Sequence, residues 1–131
     1  MKVSQLLLVG CFVMALGATQ ACTQNGVEPA GTGATLSAPA EFRDGEQKFN
    51  ANCSRCHGIG GVGTTQGPPL VHKVYEPNHH GDVAFQRAVA NGVKAHHWQF
   101  GDMPKLDPVK PDDVDQIVKY VRWLQKQAGI F

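Results

Sequence analysis

Cys53-Ser54-Arg55-Cys56-His57 places two thiols and an imidazole within one short stretch of chain. The C-x-x-C-H spacing is the attachment pattern of c-type haem. Two cysteines separated by two residues reach the two vinyl groups of one porphyrin, and the adjacent histidine is held beneath the ring, where a ring nitrogen binds the iron. Two other chemistries use parts of the same string. A closed structural zinc site takes four protein ligands. Cys53, Cys56, His57 and a distant histidine such as His72 would supply them, at an irregular spacing, since the only other cysteines are Cys11 and Cys22 near the N-terminus. A thioredoxin-like dithiol belongs in a βαβ context, whereas Phe42 to Asn52, just before the motif, reads as helix.

A haem iron needs a second axial ligand, and Gly101-Asp102-Met103-Pro104 offers one. Met103 is the only methionine beyond residues 1–21, and it sits in a loop bounded by glycine and proline. A lone methionine otherwise reads as core packing. Rivals for the position are His96 and His97, then His72, His79 and His80; bis-histidine ligation lowers the potential and histidine–methionine ligation raises it. Gly67-Pro68-Pro69-Leu70 is a rigid turn soon after His57. A ligating histidine donates its other ring N–H to an acceptor, and Pro68 could supply that carbonyl while Leu70 packs on the ring. Trp98 reads equally as pocket lining, as a donor to a haem propionate, or as plain core. Gly58-Ile59-Gly60-Gly61-Val62-Gly63 satisfies G-x-G-x-x-G, but it follows no strand and opens no helix, so it reads as a tight loop and not as a dinucleotide site.

Three helical segments must position these residues. Glu41 to Asn52 carries Phe42 and Phe49 on one side. Asp82 to Asn91 has Asp82 as N-cap, Phe85, Ala88 and Val89 on one face, and Gly92 as its stop. Pro111 to Ala128 opens on proline and three aspartates, where the helix dipole favours acids. It carries Val114, Ile117, Val121 and Leu124 as an apolar stripe with Tyr120, and ends at Gly129. No segment alternates as a strand does, so the expected fold class is all-α.

The 131-residue chain reads as one small domain, 41–131, behind an export signal and a linker. Residues 1–21 have the form of a signal peptide: Lys2, an apolar run from Leu6 to Ala18, then small residues. Ala18-Thr19-Gln20-Ala21-Cys22 resembles a bacterial lipobox, with lipid on Cys22. Leu8-Val9-Gly10-Cys11 resembles one too, but would leave too short a signal. Ordinary secretory cleavage near Ala18 or Ala21 is the competing reading. Residues 22–40 read as a lipid-anchor cysteine and a flexible tether spanning about 23 Å on average. Export implies the periplasmic side of a bacterial membrane. Loss of Lys2 from the 12 Lys and Arg leaves them matched to the 11 Asp and Glu, so no basic field for nucleic acid exists.

Taken together, Glu41 to Ala128 resembles the class I cytochrome c family, a small monohaem fold. Gly45 and Phe49 precede Cys53 by eight and four residues, Pro68 and Leu70 stand where the family has its histidine-supporting proline and haem-packing leucine, and Tyr120 follows Met103 by 17 residues. Ile117 lies three before Tyr120. The resemblance implies three or more helices around one covalently bound haem c, with first and last helices crossing at Gly45, Phe49, Ile117 and Tyr120. It implies thioether bonds from Cys53 and Cys56, iron ligation by His57 and Met103, and one-electron transfer between a donor and an acceptor redox protein. No small-molecule substrate is expected. The alternatives are a haem-bearing accessory subunit of a larger periplasmic oxidoreductase, and a peroxide or small-ligand enzyme with a labile sixth ligand. His72 to Gly81 and His96-His97-Trp98-Gln99-Phe100 depart from the family pattern.

Overall fold

A computed structural model describes residues 37–131. The expected signal peptide, Cys22 and the tether as far as residue 36 lie outside the described residues. Among the described residues the fold is all-α. Four helices, α1 (Arg43–Asn52), α2 (Ser54–His57), α3 (Asp82–Asn91) and α4 (Pro111–Gln127), are joined by loops that carry three short 3-10 turns. One isolated antiparallel bridge pairs Val93 with Met103.

The folded body begins earlier than residue 41. Ala38, expected in the tether, is buried at 2% exposure in the core cluster, and its N–H donates to Glu46 Oε2 at 3.4 Å. Pro39 then sets the extended backbone from which a 3-10 turn, Ala40–Phe42, leads into α1. A short alanine–proline pair carries no periodicity, so nothing local separates it from linker sequence.

The crossing of α1 and α4 makes the core. Phe49, Ile117, Tyr120 and Val121 are buried together, and the Phe49 and Tyr120 rings lie 5.6 Å apart at a tilt of 59°. Gly45 sets the approach of the helices: a Cβ there would stand 2.1 Å from the Gln116 carbonyl oxygen and 2.9 Å from Tyr120 Cβ. On α4, Val114, Ile117, Tyr120 and Val121 are buried as the stripe predicts. Leu124 is only half-buried, and Val118 and Gln125 join the buried face instead. The helix ends in a Schellman turn, with Gly129 N–H bonded to Lys126 O at 3.1 Å and Ile130 N–H to Gln125 O at 2.9 Å.

Two polar residues of α4 hold the long loop between α2 and α3. Gln125, at 1% exposure, donates from Nε2 to the carbonyls of Leu70 (2.8 Å) and Tyr75 (3.0 Å). Its Oε1 accepts from Arg122 at 2.6 Å. Arg122 also donates to the carbonyls of Tyr75 and His80 and to the Asp82 carboxylate. Asp82 is therefore the first residue of α3 and a partner of Arg122. Gly81 occupies the N-cap position, with no side-chain cap bond.

Candidate functional site

The C-x-x-C-H segment is a helical turn continuous with α1. Cys53 N–H bonds Phe49 O at 2.8 Å, and His57 N–H bonds Cys53 O at 2.9 Å. Helical spacing of three residues puts both sulfurs on one face of the turn. The glycine loop then folds back under it: Gly63 N–H donates to His57 O at 2.6 Å, and the Thr64 hydroxyl donates to Cys56 O at 2.6 Å. Gly58, Gly60, Gly61 and Gly63 all have positive φ, so the G-x-G-x-x-G run is a compact turn leaving a helix. No strand precedes it, which removes the dinucleotide context.

His57 Nδ1 lies 2.8 Å from the Pro68 carbonyl oxygen. A carbonyl only accepts, so Nδ1 carries the proton and the Nε2 lone pair is left available. Burial lowers the His57 pKa, partly opposed by that hydrogen bond, which keeps the imidazole neutral at neutral pH. Burial, and then the neighbouring Cys56, push the Cys53 thiol up to about 11. A reactive dithiol needs the opposite shift. Nor does the zinc alternative find its ligands: among the described residues, Cys53, Cys56 and His57 form no metal-ligating cluster with His72, whose Nδ1 accepts from Val74 N–H at 3.2 Å.

Met103 is held by backbone. Val93 and Met103 exchange both N–H···O bonds at 2.9 Å, closing the residues between them into a loop. Gly92 makes the turn possible, with φ +72° and no room for a Cβ, which would stand 2.6 Å from Met103 O. Asp102 ties the loop internally, accepting from Lys94 Nζ at 2.5 Å and Ala95 N–H at 2.9 Å.

Cys53, Cys56, His57, Pro68, Leu70 and Met103 all line one cavity of about 420 Å³, mostly apolar, between α2, α3, α4 and the Val93–Met103 loop. That volume is in the range of cofactor sites, roughly 300–1,000 Å³. The donor set suits haem: two thiols on one helical face, a neutral imidazole with its second nitrogen engaged, and a thioether on a fixed backbone. One further group points the same way. Trp98, also on the cavity wall, has a buried Nε1 with no hydrogen-bond partner among the described residues. The Tyr75 hydroxyl is near enough for the indole N–H to lower its pKa against the rise from burial, but their geometry falls short of a hydrogen bond. An anionic propionate is the kind of acceptor such a donor lacks.

The rival histidines divide. His72 and His79 are not on the cavity wall, whereas His80, His96 and His97 are. His80 has Nδ1 engaged by Val74 O at 2.6 Å, and His96 and His97 are exposed, while Met103 is half-buried. Sequence reasoning missed Arg122 and Gln125, which pin the loop that carries Leu70 and His80. Gln125 continues the apolar stripe four residues beyond Val121, and a polar residue on a buried face was the available signal.

Among known proteins, the family model described as cytochrome c matches residues 42–125. No curated protein and no solved structure gives a significant match.

Proposed function

The chain belongs to the cytochrome c family, whose members bind haem c covalently, and on that premise we propose a one-electron carrier with histidine–methionine ligation, working in a periplasmic electron-transport chain. The haem iron supplies the cycling between Fe(III) and Fe(II). The observation that carries this reading is the pairing of two prepared ligands on one cavity: His57 oriented through Pro68 at 2.8 Å, and Met103 fixed by its two backbone bonds to Val93.

In this reading Cys53 and Cys56 bond the porphyrin. His57 presents Nε2, and Pro68 fixes its tautomer and ring angle. Met103 presents sulfur. Leu70, Val114 and Ile117 line the cavity with apolar surface, which would limit reorganisation if the bound haem exchanged an electron. His57 and Met103 would both hold the iron, which would leave it no position for a substrate. Export through residues 1–21 and lipid on Cys22 would hold the domain at the periplasmic face, where donor and acceptor redox proteins reach it. The exposed Cys56, with the exposed Ile59 and Val62 beyond it, leaves the attachment edge open to them.

The test is an optical spectrum of the purified protein and its pyridine adduct. The expected result is a covalent c-type haem, low-spin when oxidised, with the weak sulfur-to-iron charge-transfer band. Met103→Ala is expected to abolish that band and to lower the midpoint potential by more than about 59 mV, a tenfold change in a one-electron equilibrium. Persistence of the band in the variant overturns the assignment. A high-spin native spectrum with rapid carbon monoxide binding would favour ligand or peroxide chemistry instead. Mass spectrometry of the N-terminus checks the lipid.

A further inference from the structure

Four of the six histidines gather from two separate segments. His79 and His80 come from the loop before α3, and His96 and His97 from the tip of the Val93–Met103 loop. Their rings make an unbroken set of contacts, with centroids 4.6 Å apart for His79 and His80, 5.0 Å for His79 and His97, 5.2 Å for His80 and His97, and 4.3 Å for His96 and His97. One ring nitrogen from each of His79, His80 and His97 lies within 4.8 Å of the others. We propose that His79, His80 and His97 form a binding site for a divalent transition metal of the zinc class, separate from the haem iron and set beside the haem cavity.

Imidazole is the natural ligand for such ions. A tetrahedral zinc with Zn–N bonds of about 2.0–2.1 Å holds its donors about 3.4 Å apart. The three nitrogens, no more than 4.8 Å apart, would therefore close by up to about 1.4 Å, within reach of side-chain rotation because His79 and His97 are exposed. His80, half-buried, is already oriented as a metal-bound histidine is. Its Nδ1 lies 2.6 Å from the Val74 carbonyl, which fixes the proton there and leaves Nε2 available. Three protein ligands leave a fourth position for water or for His96, whose own Nδ1 is taken by Lys94 O at 2.7 Å.

The segments are held before any metal arrives. The amides of His79 and His80 both bond Glu76 O, at 3.0 and 2.8 Å. Arg122 holds the His80 carbonyl from α4, its charge paired with Asp82 at 2.8 Å. On the other side, Asp102 clamps Lys94 and Ala95.

Zinc is the probe, because it has no redox chemistry and leaves the haem spectrum to report on folding. Calorimetric titration of tag-free holoprotein with Zn²⁺ is expected to show one ion bound per chain. His79 is not on the haem cavity wall, so His79→Gln removes a ligand without touching the haem site. It is expected to weaken binding at least about tenfold with an unchanged haem spectrum, and His79→Gln with His97→Gln by more than about 100-fold. Absence of saturable Zn²⁺ binding by the native holoprotein, or binding undiminished in the double variant, overturns the site.

Discussion

His57 is half-buried, and burial lowers its pKa while the Pro68 carbonyl pulls the other way. A depressed pKa favours the neutral imidazole, so its stabilising contribution is complete above the ordinary histidine value of about 6.5 and is lost as pH falls through the lower folded value. Iron ligation adds to the same tendency. An acid titration followed by the haem spectrum should therefore show the native form persisting below about pH 6.5; its loss at or above that pH contradicts the arrangement. At this scale the sequence carried a good deal. The C-x-x-C-H spacing, a proline turn after it and one methionine in a loop are local facts, and local facts survive in a string. Arg122 and Gln125 did not show themselves, because the loop groups they hold, backbone carbonyls and the Asp82 carboxylate, lie 40 to 55 residues away and such bonds leave no pattern near either end.

Among the elements, α1 and α4 decide how closely the fold can close. The Gly45 to Gln116 contact leaves no space for a methyl group, and the obstacle is backbone that cannot rotate aside. Gly45→Ala is expected to cost at least about 2 kcal/mol by overpacking and to lower the melting temperature by about 10 °C, measured by thermal denaturation of the holoprotein. An unaltered melting point would mean that the helices do not cross there. Both helices were legible: Phe42 and Phe49 marked one side of α1, and α4 showed a 3.6-residue stripe, a proline start and a glycine stop. The 3-10 turn before α1 and the Val93–Met103 bridge were not. A three-residue turn has too few positions for a period, and an isolated bridge is set by the segments that bring its two residues together.

At the scale of the whole described domain, a buried aromatic crossing stands beside a cavity of about 420 Å³. Its walls are mostly apolar, Leu70, Val114 and Ile117 among them, and that surface has no packing partner until the cofactor fills the space. The cofactor is thus part of the core. Cys53→Ala with Cys56→Ala, which removes both attachment points, is expected to give a chain with no cooperative thermal transition and with exposed apolar surface that binds ANS; a sharp transition in that variant contradicts this. The all-α class was readable from the sequence, but the place of the void was not, since it arises where three elements and a loop fail to touch. That loop also separates constraint from freedom. Its neck is fixed by one pair of peptide groups and one residue without a side chain, while its tip, 94–102, meets the rest of the domain through side chains, Trp98 against His72 and His97 against His79 and His80. Substitutions at the tip can therefore change the surface chemistry there, paired histidines included, while the backbone pairing at the neck keeps Met103 where it is.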